Sequence, residues 1–208
     1  MLNREASNVA SGVTDARESR VSTVIERGAR LCNAFNNETF VFSGPVDDPD
    51  VARFDVILEQ GGSGGGNALV HIHPSADEHF LVKSGRIKVV VDGQERILGI
   101  GEGTVVRRGT PHFFLNADRG ITEVVIEFTP AQQHLRFFAN FARLAANRTD
   151  WFSNKGDPHF LLIALTLHTY RDHFYLAGPP IFLQKLMFSA LSPLARLRGY
   201  QLEIEPAR

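Results

Sequence analysis

Gly65-Gly-Asn-Ala-Leu-Val-His71-Ile-His73-Pro-Ser-Ala-Asp-Glu78-His-Phe-Leu-Val-Lys-Ser-Gly85 is the stretch on which the reading of this chain turns. Residues two apart on a β-strand face the same way. His71 and His73 therefore present two imidazoles to one side, with Ile72 on the other. Pro74 ends the strand and forces a turn. The next run then carries Glu78, Phe80 and Val82 on a single face. If that face points inward, a carboxylate joins the two imidazoles. His79 has the opposite parity and is expected to point away.

A second stretch completes the set. Arg108-Gly-Thr-Pro111 reads as a turn that delivers His112 onto a further strand, with Phe114 and Asn116 in register with it. Three neutral imidazoles and one carboxylate suit iron, manganese, nickel, cobalt or zinc, and fit calcium poorly. The predicted ligands of one divalent transition-metal ion are thus His71, His73, Glu78 and His112. Four protein ligands on an octahedral ion leave two positions for other molecules.

The surroundings of these stretches are β in texture from about residue 35 to residue 130. Short runs rich in branched and aromatic residues, such as Arg53 to Glu59, Ile87 to Val91 and Ile121 to Phe128, alternate with turn signals such as Asp92-Gly93 and Gly101-Glu-Gly103. That spacing predicts a sandwich or barrel. Residues 1–34 form a polar segment, expected either to be partly disordered or to hold a short helix near Ser22 to Leu31. Residues 131–208 form a helical extension, with helices over Ala131 to Asn147, Phe160 to Phe174 and Ile181 to Leu197. Pro179-Pro180 suits the start of the last, and Pro193 is expected to kink or end it. The glycine run at residues 61–66 lacks the Gly-Lys-Ser/Thr ending of a phosphate loop and reads as a flexible loop at the barrel mouth.

Both motifs resemble those of the cupin superfamily. The first cupin motif, G-(x)5-H-x-H-(x)3–4-E-(x)6-G, is matched by Gly65, His71, His73, Glu78 and Gly85. The second, G-(x)5-P-x-G-(x)2-H-(x)3-N, is matched by Gly101, Gly109, His112 and Asn116. Arg107 stands where the family has proline, and Pro111 is expected to stiffen the turn instead. The resemblance implies a mainly β fold, a cupin-type jelly-roll or double-stranded β-helix barrel, here with a C-terminal α-helical extension. It implies a metal-dependent enzyme acting on a small apolar or aromatic molecule. The favoured activity is that of a non-haem dioxygenase of the quercetinase-like type. In that reading Glu78 is the catalytic base, and Phe80, Phe114 and Asn116 line the substrate pocket. The alternatives are a non-redox isomerase or cyclase using the same metal as a Lewis acid, and a non-catalytic ligand-binding cupin.

Whole-chain properties narrow the classes further. The 208 residues carry 22 Lys+Arg against 23 Asp+Glu, a balance that gives no electrostatic footprint for nucleic acid. Cys32 is the single cysteine, so no internal disulfide can form and a reducing cytoplasm is compatible. No apolar run reaches the length of a transmembrane helix. The expected partners are a small-molecule substrate and a second copy in a homodimer, with no nucleic acid. The extension is expected to pack on the outside of the barrel or in a dimer contact, ahead of a lid over the barrel mouth and then a membrane-surface contact, which Arg196 and Arg198 would support. His134, His159, His168 and His173 are expected to be solvated or capping residues. Glu123 and Glu127 are expected on an outward face, and Glu127 would be a candidate acid or base if that face turned inward.

Overall fold

The computed structural model describes residues 25–43, 48–63 and 69–207. The motif residue Gly65, with the rest of residues 64–68, and the polar segment up to residue 24 lie outside that range. Two antiparallel sheets carry the β region. The larger has six strands: β1 (Arg30–Asn33), β2 (Glu38–Val41), β3 (Ala52–Leu58), β10 (Thr122–Thr129), β5 (Asp77–Ser84) and β8 (Gly103–Val106), in that spatial order. The smaller has five: β11 (Tyr175–Leu176), β4 (His71–Ile72), β9 (His112–Asn116), β6 (Ile87–Val91) and β7 (Gln94–Leu98).

Alternation along each strand places the core. On β10, Val124, Ile126 and Phe128 are buried, and they join Phe54 and Val56 of β3 and Phe80 and Val82 of β5. Ile87 and Val89 of the smaller sheet belong to the same cluster, so both sheets bury their inner faces in one core. On the opposite face Val125 is covered, but the glutamates on either side of it turn outward: Glu123 pairs with Lys83 at 2.7 Å and Glu127 with Arg53 at 2.8 Å. Glu127 is therefore a surface ion-pair partner, as the alternation predicted.

Gly85 ends β5 at φ +73, and a Cβ added there would lie 2.2 Å from Thr122 Oγ1. No other residue fits both the backbone angle and the space. The hairpin signal at Asp92-Gly93 is realised as the β6–β7 turn, both residues having positive φ.

The polar N-terminal segment does not stay outside the sheets. Arg30–Asn33 is strand, paired with β2, where a helix from Ser22 to Leu31 was expected. Residues 22–24 of that helix lie outside the described range. The four residues Arg30-Leu-Cys-Asn33 lack strand alternation, and their pairing with the Phe-containing β2 overrides local propensity.

Three helices follow the sheets: α1 (His134–Asn147), α2 (Phe160–Thr169) and α3 (Ile181–Leu197). Helix α2 stops before the expected Phe174, because residues 175–176 leave the helical path to form β11. Helix α3 runs through Pro193 to Leu197 without ending there. Pro193 lies on an exposed side of the helix, and its ring costs the helix one backbone hydrogen bond there without ending it. Helix α1 packs on β1 and β3, and α2 packs on α3. No helix among the described residues is long and apolar enough to cross a membrane.

Candidate metal centre

His71 and His73 flank Ile72 at the end of β4, and His71 pairs directly with His112 of β9. Glu78 is the second residue of β5, in the facing sheet, opposite Phe128 of β10. One ligand atom from each of the four residues can be chosen so that all lie within 4.8 Å of one another. Bonds of about 2.1 Å to one ion would separate its ligand atoms by roughly 3 to 4 Å, so small side-chain adjustments suffice. The clustering agrees with the parity argument, and the donor set of three imidazoles and a carboxylate fits a divalent transition metal.

Hydrogen bonds aim each ring. His71 Nδ1 faces the carbonyl of Leu69 at 3.0 Å, His112 Nδ1 that of Thr110 at 2.8 Å, and His73 Nδ1 that of His173 at 2.5 Å. A carbonyl accepts and never donates, so each Nδ1 carries a proton; the Nε2 atoms of His71 and His73 keep their lone pairs, while that of His112 faces the Glu78 carboxylate. His73 Nε2 is buried with no hydrogen-bond partner and sits 3.5 Å from Glu78 Oε2. His112 Nε2 lies 2.6 Å from the same oxygen. A buried, unpartnered nitrogen aimed at a carboxylate is costly unless something shares its lone pair, and a metal ion does so.

Burial prepares two of the rings for this role. It pushes His71 down to about 3, helped by the neighbouring His112, against a smaller opposing effect of the Leu69 carbonyl. Burial, and then His71, His134 and His112, hold His73 well below the usual imidazole range. Both are neutral at pH 7, the form that binds metal. For His112 burial acts in the same direction, but the hydrogen bond and charge of Glu78 outweigh it and raise its affinity for protons.

The turn before His112 is clamped differently from the sequence expectation. The Asp77 carboxylate accepts from the Arg108 backbone N–H at 2.9 Å, from Arg107 at 2.8 Å and from Arg108 Nε at 3.1 Å. These contacts, the backbone one foremost, hold Asp77 down to about 2. The Gly109 N–H also donates to the His73 carbonyl at 2.8 Å. Arg107, where the resembled motif has proline, thus helps tie the loop before His112 to the residue before Glu78.

The extension supplies the rest of the site. β11 pairs with β4, placing Leu176 opposite His71 and Tyr175 opposite Ile72. Phe174 stacks on the His71 ring, centroids 4.6 Å apart and planes 16° apart. His173 is buried: its Nε2 accepts from the Gln133 N–H at 2.9 Å, and its carbonyl receives His73. His134 is fully buried and stacks on Phe128 at 4.1 Å. Burial, with His173 nearby, pushes His134 down to about 3. Of the expectation that these residues are solvated or capping, the solvated part therefore fails for both, while His173 does accept from the N–H of Gln133, the residue that opens α1. Long-range packing of α1 and the 170–176 segment against the sheets encloses them, and no local pattern announces that packing. His159 is exposed and meets Tyr200, in line with its expected surface position.

A cavity of ≈ 250 Å³ opens beside the four ligands. His71 and Glu78 are in its wall, with Phe40, Phe54, Phe114 and Ile126 from the sheets and Phe137, Phe138, Phe141 and Phe174 from the extension. Glu38, Asn33 and Asn36 line another part of it, the Glu38 carboxylate accepting from both asparagine amides at 3.0 Å. Of the expected pocket residues, Phe114 lines this cavity. Phe80 is buried in the core, edge-on to Phe114 at 5.1 Å. Asn116 is a structural knot. Its Nδ2 faces the carbonyls of Leu58, Glu59 and Gly120, and its Oδ1 accepts from Asp118 N–H and Thr122 Oγ1. Those bonds consume its polar groups, so it has none to offer a ligand. The aromatic wall given by the extension corresponds to the lid that the sequence reading ranks below packing on the outside or a dimer contact; the Phe spacing in Leu135 to Phe141 was its available signal.

Residues 54–126 match a family model described as a cupin domain. The chain is 23% identical over 148 residues to the HTH-type transcriptional regulator PuuR of Escherichia coli, covering 58% of this chain and 80% of that protein. Among solved structures, KdgF from Halomonas sp. is 18% identical, with 50% of this chain and 91% of that one covered at a TM-score of 0.43. An RmlC-like cupin from Shewanella frigidimarina is 17% identical, with 52% and 88% covered at a TM-score of 0.45.

Proposed function

We propose, on the footing that residues 54–126 are a cupin domain, that this chain is a metal-dependent enzyme for a small, largely aromatic or apolar molecule, and that its chemistry is that of a non-haem dioxygenase. The observation that carries the reading is a phenylalanine-walled cavity whose wall includes His71 and Glu78. An apolar cavity of about 150 Å³ takes a single benzene ring, so this one has room for a larger ring system. A divalent transition metal held by His71, His73, Glu78 and His112 would supply open coordination positions and, if redox-active, electrons for dioxygen.

The chain's own residues do the rest. Phe137, Phe138 and Phe174 exclude water and hold a flat apolar molecule against the sheet. Glu78 has an oxygen between His73 and His112, from which it can accept a substrate hydroxyl proton. The carbonyls of Leu69, Thr110 and His173 keep the three imidazoles in one tautomer as charge at the site changes. A Lewis-acid isomerase or cyclase would use the same groups without oxygen uptake.

The test is elemental analysis of protein purified without added metal, followed by oxygen-electrode assays of the iron-loaded protein with a panel of phenols and flavonoid-like ring compounds. One oxygen consumed per substrate, abolished in Glu78→Gln, is the expected result. Substrate turnover with no oxygen uptake would assign the site to the Lewis-acid class instead, and zinc as the native metal would point the same way.

A further inference from the structure

Helix α3 has two unlike sides. Gln184, Phe188, Ser192 and Ala195 are buried on one. On the other, Phe182, Leu183, Leu186, Met187, Leu194 and Leu197 are between 37% and 85% exposed. At 100° per residue these six fall within an arc of about 140°, and the gaps in that arc are filled by Ala190 and Pro193, also exposed. The solvent side of this helix is therefore an unbroken apolar stripe. Such a stripe opposes solubility and marks a contact surface.

Charge says which contact. No Asp or Glu occurs between residues 173 and 202. Lys185 borders one edge of the stripe and is ion-paired with Asp172 at 2.6 Å. Arg196 and Arg198, both exposed, border its two edges near the C-terminal end. A second copy of the same stripe would bring apolar surface and more arginine, with no carboxylate on the helix to meet it. Area points the same way. A helix of 17 residues is about 25 Å long, so a stripe of this arc covers roughly 300 Å². A stable protein interface takes about 800 Å² from each partner. A lipid surface requires no such area: it accepts a narrow apolar face at shallow depth and supplies anionic headgroups for flanking arginines.

We propose that α3 is a membrane-docking helix, which lays its Phe182-to-Leu197 stripe into the interface of an anionic bilayer with Arg196 and Arg198 on lipid headgroups. The helix is fixed for this by Gln184, which accepts from the Leu176 N–H at 3.1 Å and donates to the Leu176 and Pro179 carbonyls at 2.9 Å. Those bonds hold it to β11, whose Leu176 is itself part of the cavity wall. The proposal does not depend on the chemistry of the metal centre.

Flotation of the full chain with vesicles tests it, using phosphatidylcholine alone and phosphatidylcholine with about a third phosphatidylglycerol. The protein is expected to float with the anionic vesicles and much less with the neutral ones. Arg196→Ser and Arg198→Ser should each lower the partition coefficient roughly fivefold. Leu186→Glu should abolish flotation while leaving the melting temperature and metal content unchanged, and Phe182→Ser at the most exposed aromatic position serves if Leu186→Glu folds poorly. Absence of flotation with both vesicle types overturns the proposal. So does a dimer in sedimentation that Leu186→Glu converts to monomer, which would make the stripe a subunit interface.

Discussion

Two groups of buried histidines lie side by side in this molecule, and they are built for different ends. His71, His73 and His112 come from the sheets, each with Nδ1 on a backbone carbonyl and Nε2 left for a shared point near Glu78. His134 and His173 come from the extension, and the His134 ring lies 5.3 Å from that of His73. His173 has both nitrogens engaged by backbone groups. His134 Nε2 is buried beside the His173 backbone, its ring is stacked on Phe128, and among the described residues it joins no cluster of ligating groups. Burial and proximity are common to both groups. What separates them is a lone pair aimed at a carboxylate, and this is what a metal site requires.

The largest test of that contrast is His112→Ala. Metal content should fall to background, an effect exceeding the roughly 10–100-fold cost of losing an outer partner, whereas His134→Phe should leave it unchanged. Elemental analysis of the two variants side by side would break the comparison if both lost metal. A smaller effect is expected from Phe174→Ala, which removes the ring that holds His71 in place. Competition with a chromogenic chelator should show metal affinity weakened by about tenfold, with the ligands themselves intact.

The smallest effect sharpens the comparison through pH. In metal-free protein His71 and His134 both stay neutral down to about pH 3, whereas their unfolded-state value is 6.5. Above pH 6.5 neither state binds the proton and stability is unaffected. As pH falls below 6.5 the unfolded chain takes up protons that the fold refuses, so stability drops. Each such imidazole contributes a slope of up to about 1.4 kcal/mol per pH unit. Urea melts of metal-free His134→Phe between pH 6.5 and 4 should be shallower in pH by about one such slope. An unchanged slope would show that His134 is accessible to protons in the fold.

The clustering of His71, His73, Glu78 and His112 was legible because its information is local. A period of two fixes His71 with His73, and the spacing to Glu78 and His112 is carried by turns that Pro74 and Arg108-Gly-Thr-Pro111 announce. The outward face of Glu123 and Glu127 and the full extent of α3 were legible for the same reason. The extension's part in the site was not. The hydrogen bond from His73 to the His173 carbonyl spans a hundred residues, and β11 is two residues long, too short for any pattern. Asn116 was misplaced because its strand parity was right, but parity says nothing about which backbone carbonyls come within reach of an amide.

The pairing of β11 with β4 also bears on how such a protein could be rearranged in evolution. The amino-acid texture changes near Pro130, where a division of the chain would be drawn from the sequence alone. A chimaera joined there would inherit all four side chains of the candidate metal cluster. It would lack the strand that flanks His71, the carbonyl that orients His73 and much of the aromatic wall. The two portions of this gene are therefore expected to be inherited together, because the seam visible in the amino-acid pattern is not a seam in the working site.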